Sequence, residues 1–535
     1  MPPPIARLDR DVLWLIFSLN ADMFSPLEYD WEENENVTGQ LALDTTLISS
    51  RVCGSWRDIL LNSPSIWGKI IRLDRLYQLE KHGREEILKR TADAPLYILG
   101  FVPFTYDEFG STFFKPLLNN NWPRIRRVHI RIDHASEEFP NLCLFPAPSL
   151  VSFNVHINCI YFQPFSESDV LFSKDAPLLQ ELGIHSSDFF LNLRVPWITH
   201  LRVLKLNTPD VDPLEIFNAI RKMPLLQELN LADIPGHSDL KSLDSEAIIL
   251  PHLINLRVHG DFELAAALTR AIKPAAPCSL SFDSTITQDS VNLADITALL
   301  ARYGEPYFAF WKEPSLSITL TDDSFLFAVP QVGELRQLPP GAAHNSGPGI
   351  PPEFRIRLTS STPVFEDSNP FIAMFLKYDL SAVRVLNLGL DDSIPFTNIN
   401  PLLQFLSRVE VLQISPIGLL SLVQRMDSWV EMDPASTIHA SLPNLHTLQF
   451  RLFNFNKRSL GLRLLDFYQF RKDHRLSLPI LDLGKNPMAA DFAFLEAMTG
   501  LRVVWEVNGK QSEYMCGSGN WWKLRFRSLM IKIHG

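Results

Sequence analysis

One short pattern recurs through most of the chain and limits what it can fold into. PLLQELNL at 224–231 returns as PSLVSFNV (148–155), PLLQELGI (177–184), PHLINLRV (251–258) and PNLHTLQF (443–450). LRVLKL (201–206), VRVLNL (383–388), VEVLQI (409–414), LPILDL (478–483) and PRIRRVHI (123–130) share its skeleton, apolar-x-x-apolar-x-apolar. The last three positions alternate as a β-strand does, and the first reaches back toward a core. The first apolar positions fall at 125, 150, 179, 201, 226 and 253, then at 383, 409, 445, 478 and 501, mostly in steps of 22 to 36. That step fits one strand plus one helix, a unit that buries its apolar face only by stacking on neighbours. DPLEIFNAIRKM (212–223) and PLLQFLSRVEV (401–411) carry amphipathic helical patterns between the strands. The predicted fold class is therefore α/β, a solenoid of stacked strand–helix units.

Stacking in register aligns the residues between the apolar ones. The middle column reads His129, Asn154, Gly183, Lys205, Asn230, Arg257, Asn387, Gln413 and Gln449. A core does not accept such polar groups unpaired, so the column is expected to face solvent or a partner. Its amides and bases, without an acid, contrast with the formal net charge of −11. A target would then offer carboxylates or phosphates to Lys205 and Arg257. The next outward column is Arg131, His156, His185, Asn207, Ala232 and His259. His156 and His185 are expected about 5 Å apart on adjacent strands, close enough to share an ion. No Cys, Asp or Glu completes that pair, and no metal is expected.

Between 254 and 382 the pattern loosens. SLSITL (315–320) and FRIRL (354–358) are predicted as further strands in register, with LPPGAAHNSGPGIPPE (338–353) as a Gly/Pro-rich loop between them. WWKLRFR (521–527) alternates Trp522, Leu524 and Phe526 against Lys523, Arg525 and Arg527, which predicts a capping terminal strand.

The first seventy residues follow a different period. In LDRDVLWLIFSL (8–19), Leu8, Val12, Leu13, Leu15, Ile16 and Leu19 recur at three- and four-residue steps, an apolar helical stripe, with Asp9 suited to cap it. A second stripe runs through Leu43, Leu47, Ile48, Val52, Trp56 and Leu60, and Ser63-Pro64 ends it. Trp67 follows and is expected to fold back, pinning the helix to its turn. Cys53 is expected as a small packed residue of the same core.

The order Leu8…Asp11-Val12-Leu13…Ile16-Phe17…Val52-Cys53-x-x-Trp56-Arg57…Pro64-x-Ile66-Trp67 resembles the F-box, over roughly residues 4–73. Two departures stand out. Asp9 replaces the usual proline, and an acidic insertion at about 21–40 lengthens the first connection, with six carboxylates and no Lys or Arg between Ala21 and Gln40. Residues 74–535 resemble the irregular leucine-rich-repeat horseshoe that follows many F-boxes. The resemblance implies that Leu8, Val12, Leu13, Ile16, Phe17, Val52, Cys53, Trp56, Leu60, Pro64 and Trp67 build the module and its adaptor-binding surface. It further implies a Skp-type adaptor as partner, a cullin ubiquitin ligase joined through it, and a protein target on the concave face. The function expected is that of a substrate-receptor subunit. The alternative is a repeat scaffold whose degenerate F-box recruits no ligase.

Other classes fit the residues poorly. Net charge −11 opposes nucleic acid, which favours a basic field. Cys53, Cys143, Cys159, Cys278 and Cys516 are odd in number and scattered, which suits a reducing compartment, cytoplasmic or nuclear. The apolar run VLWLIFSL (12–19) is too short to span a bilayer, so no membrane is expected. Asn36-Val37-Thr38 is then an unmodified loop. GAAHNSGPG (341–349) lacks the Gly-Lys-Ser/Thr of a phosphate-cradling loop, and neither Gly-x-Ser-x-Gly nor His-Glu-x-x-His occurs. Neither catalysis nor a cofactor is expected.

Overall fold

Leu13 and Phe17, four residues apart, decide how the first helix sits. The computed structural model describes residues 8–23, 42–102, 108–133, 143–157, 170–186, 192–207, 212–234, 247–274, 277–286, 293–321, 323–329, 353–360, 369–390, 399–415, 418–419, 422–423, 442–450, 457–473, 476, 478–485, 492–507 and 509–526. Most of the acidic insertion and of the loop predicted at 338–353 lie outside the described residues. The chain forms two compact units. One comprises Met1–Leu253 with Ala271–Pro274, and the other Ile254–Arg270 with Ala275–Gly535. The division falls within the repeats, and the N-terminal helices belong to the first unit.

Helix α1 (Arg10–Asn20) packs on α2 (Ala42–Ser49) and α3 (Gly54–Leu61), and α4 (Pro64–Lys69) follows directly. Asp9 stands at the N-cap of α1 with extended backbone, yet its side chain makes no capping hydrogen bond, contrary to expectation. The stripe predicted through Val52 is not one helix. The chain breaks at 50–53 between α2 and α3, so Val52 leaves the line it was expected to share with Trp56 and Leu60. Cys53 takes the N-cap position of α3 with φ −157° and is exposed, which overturns the packed reading. Trp67 is fully buried in α4, and its Nε1 donates to the Leu60 carbonyl at 2.8 Å. The same carbonyl, at the end of α3, also accepts from the Ser63 amide at 3.1 Å, so Trp67 pins helix to turn as expected. Trp56 instead meets Phe17 edge-on, ring centres 5.1 Å apart, and ties α3 to α1.

In the first unit β1 (Ile71–Arg72), β2 (Leu96–Val102), β3 (Ile125–Ile132), β4 (Ser152–Ile157), β5 (Glu181–His185), β6 (Val203–Asn207) and β7 (Glu228–Ile234) pair in chain order, all parallel. A parallel pair, β8 (Ile248–Leu250) with β10 (Ile272–Pro274), also belongs here. Each recurring strand begins at its motif or two residues into it. The motif's first apolar residues Ile125, Leu150, Leu179, Leu201 and Leu226 are buried, as are the alternating ones, such as Leu204 and Leu206. Each such leucine contributes about 1.5–3 kcal/mol of apolar burial. The helix expected within 212–223 forms at Pro213–Ile220, where the Asp212 side chain accepts from the Leu214 amide.

The second unit is mixed. Its strand order is β9 (Asn255–Asp261), β11 (Ser279–Ile286), β14 (Arg355–Ser360), β13 (Ser324–Ala328), β12 (Ser315–Leu320), β15 (Val385–Leu390), β16 (Val411–Ile414), β17 (Thr447–Phe450), β18 (Ile480–Lys485), β19 (Arg502–Val507) and β20 (Lys510–Met515). β13 runs antiparallel to both neighbours and β20 antiparallel to β19; the remaining pairs are parallel. The strands predicted at 315–320 and 354–358 exist, but they are not consecutive repeats. β13 turns back between them, because apolar alternation marks a strand without fixing its direction. The terminal strand predicted at 521–527 is absent from the described part of that segment. Trp521–Leu524 is a short 3₁₀ turn that buries Leu524 and leaves both tryptophans exposed, and β20 forms the last hairpin. Among the described residues no helix is long and apolar enough to cross a membrane.

Candidate functional site

The helical module divides its motif residues into two sets. Leu13, Phe17, Leu60 and Trp67 are buried, and Trp56 and Pro64 are half-buried. Leu8, Val12, Ile16, Val52 and Cys53 are exposed. The outer face of α1 also carries Leu15 at 53 % exposure and Leu19 at 67 %. At 100° per residue, 8, 12, 15, 16 and 19 share one side and 13 and 17 the other. Arg10–Asp58 at 3.1 Å and Lys69 Nζ to Ser18 Oγ at 3.1 Å hold α1 from its edges without covering that side.

On the sheet of the first unit, His129, Asn154, Gly183, Lys205 and Asn230 occupy one rung, as the recurring motif requires. Gly183 leaves the space that the Asn154 side chain fills, since a Cβ there would lie 2.7 Å from its Oδ1. His129 Nε2 bonds Ser152 Oγ at 2.7 Å. Burial, then the charges of Arg127 and Lys205, push its imidazole down to about 3. Burial, His156 and Lys205 likewise lower His185 to about 4. The His156 and His185 rings stack with centres 5.7 Å apart and planes 9° from parallel. Among the described residues no group of three or more His, Cys, Asp or Glu is placed to hold a metal ion. Lys205 is not an open cation, because Glu228 of the next strand meets it at 3.1 Å.

In the second unit Ser317, Asn387, Gln413, Gln449 and Asp482 share a rung across β12, β15, β16, β17 and β18. Their side chains bond along it. Asn387 Nδ2 donates to Ser317 Oγ at 2.6 Å, Gln413 Nε2 to Gln449 Oε1 at 2.7 Å, and Gln449 Nε2 to Asp482 Oδ2 at 3.0 Å. Gln413 is only 5 % exposed, so it does not face solvent as predicted. Its burial is tolerated because its amide has a polar partner in Gln449 on the next strand. Asp482 also corrects the expectation of a column without acids, and it was legible, since LPILDL puts an aspartate in register with Gln449.

Arg257 heads a separate rung, Arg257–Ser281–Arg355, on β9, β11 and β14. Glu353 faces Arg257 at 3.7 Å and Arg355 at 3.8 Å. The recurring motif did not include Arg355, although FRIRL alternates it and Arg357 with the buried Ile356 and Leu358. Ser281 was missed because β11 lacks the leading leucine pattern. No family model matches the chain, and no curated protein is significantly similar to it.

Proposed function

We propose that the chain is a substrate-receptor subunit of a cullin-based ubiquitin ligase. In this reading an F-box at about residues 1–73 binds a Skp-type adaptor. A leucine-rich-repeat-like solenoid over 74–535 binds the target protein through the polar columns of its strands. The observation that carries the reading is the open apolar side of α1, with Leu8, Val12, Leu15, Ile16 and Leu19 all exposed. A helix apolar on both sides is ordinarily covered on both, and among the described residues the chain's own helices cover only the side of Leu13 and Phe17. The exposed members of the motif, with Val52, are the residues that would meet the adaptor. The sheets support the second half, because they present polar columns that carry charge and can vary without disturbing the leucines beneath.

The test is co-expression of the full chain with a Skp-type adaptor. The wild type should co-purify with it. Val12→Asp combined with Ile16→Asp should abolish co-purification while leaving thermal unfolding unchanged, because neither side chain is in the core. Undiminished co-purification of the double variant would refute the assignment. A wild type that never co-purifies favours the scaffold alternative.

A further inference from the structure

We propose that the turn at Trp521–Leu524 docks the second unit on an anionic lipid surface, with Trp521 and Trp522 entering the interface and Lys523 and Arg525 meeting the headgroups. The inference goes beyond the receptor reading and does not depend on it.

The turn is held firmly at both ends. The Gly519 amide donates to Glu496 Oε1 at 2.6 Å, and the Asn520 amide to the Tyr514 hydroxyl at 2.9 Å. Leu524 is fully buried, and its carbonyl accepts from the Phe492 amide at 3.0 Å. A segment anchored in this way encloses its leucine yet leaves Trp521 39 % and Trp522 56 % exposed. Their ring centres lie 6.4 Å apart with planes 72° from parallel. Two large apolar side chains in succession exceed the scattered exposure of an ordinary surface, and such patches mark sites of contact. Neither indole N–H donates to another protein group among the described residues. An indole is apolar over its rings and polar at its N–H, which suits the boundary between headgroups and acyl chains.

Charge selects the kind of surface. Lys523 is exposed and has no acidic partner among the described residues. The Arg525 guanidinium lies over the Trp521 ring, 4.4 Å from its centre. The acids beside the turn are already engaged: Glu496 accepts from the Tyr514 hydroxyl at 2.7 Å and from Gly519, and Glu513 faces Arg502 at 3.7 Å. From Gly517 to Gly535 the sequence holds Lys523, Arg525, Arg527 and Lys532 and no Asp or Glu, within a chain of net charge −11. Cations next to interfacial aromatics are attracted to anionic headgroups. The crossed indole planes do not offer the parallel faces on which successive bases stack, so lipid is favoured over single-stranded nucleic acid. Among the described residues no helix is long and apolar enough to cross a membrane, and the contact is peripheral.

Co-sedimentation of the full chain with sucrose-loaded vesicles tests the docking. One set is phosphatidylcholine alone, and the other an equal mixture of phosphatidylcholine and phosphatidylserine. The wild type should pellet with the mixture and far less with phosphatidylcholine, and added salt should release it. Trp521→Ala combined with Trp522→Ala should weaken partitioning about tenfold or more, the scale of two large apolar groups withdrawn from the interface, with thermal unfolding unchanged. Lys523→Gln should weaken it about fivefold, the scale of one cation near an anionic membrane. Ile249→Ala, at an exposed apolar residue of the other unit, should leave it unchanged. A wild type that stays in the supernatant with both vesicles overturns the proposal, as does equal binding to both. Undiminished binding of the folded double tryptophan variant also overturns it. Binding of an oligouridylate in place of vesicles, lost in that variant, would assign the turn to nucleic acid and overturn the lipid surface. Adaptor co-purification of the same variants is scored separately, so failure of the docking is distinguishable from failure of the receptor reading.

Discussion

The N-terminal helices and the strands of the repeats place their apolar residues differently. In both units the alternating apolar residues of the strands are the buried ones, as with Leu204 and Leu206 or Leu412 and Ile414. The polar residues between them are half-exposed or bonded along a rung. In α1 the apolar residues lie on both sides, and only Leu13 and Phe17 are enclosed. A period in the sequence tells which side chains share a face. It does not tell what covers that face, which is the chain's own core in the strands and open solvent on the outer side of α1.

Equal truncations on the two kinds of face should give unequal losses. Leu229→Ala in β7 removes a side chain with 0 % exposure, and a loss of about 2–5 kcal/mol is expected in denaturant unfolding. Leu15→Ala in α1 should stay within about 0.5 kcal/mol. Comparable losses would mean that the outer side of α1 is packed after all. A smaller effect sharpens the contrast within the strands. Gln449→Ala takes away the acceptor of the Gln413 amide and the donor to Asp482, leaving a buried amide unpaired, at a cost of about 1–3 kcal/mol. A surface column would lose almost nothing, so a near-zero result would return Gln449 to the merely solvated class.

A separate effect comes from protons. His129 is held neutral in the folded chain down to about 3, and His185 down to about 4, whereas both take up a proton near 6.5 when unfolded. The unfolded state therefore binds more protons in acid. The contribution of these two groups is complete above about pH 6.5 and is lost progressively as pH falls toward 4 and then 3. His129→Gln should flatten that part of the stability curve in unfolding measurements between pH 7 and 4. An unchanged slope would show that His129 is solvated in the folded state.

The repeat strands were legible because each carries its own evidence in six residues. A leading leucine, two residues of spacing and an apolar alternation place Val203–Asn207 or Val411–Ile414 without reference to any other strand. Asp482 was legible by the same count. The partners of the cations were not. Glu228 meets Lys205, and Glu353 stands between Arg257 and Arg355, only through the pairing of separate strands, which no local pattern encodes. The exposure of Val52 and Cys53 was hidden for another reason. A four-residue spacing continues smoothly across a break between two short helices, and nothing at 50–53 is a proline or a glycine to mark it.

The reversed order of β12, β13 and β14 bears on how the chain is made. From β2 to β7 each strand can join the one before it as soon as it emerges. β11 has β9 on one side, but its other neighbour, β14, lies 74 residues further along, as in the pair Thr285 and Thr359. At about 5–20 residues per second, synthesis leaves that edge of β11 waiting on the order of 4–15 seconds. A strand edge with free amides and carbonyls is a template for any other chain nearby. The interval in which aggregation competes with completion thus falls midway through translation, and it ends only when Arg355–Ser360 has cleared the ribosome.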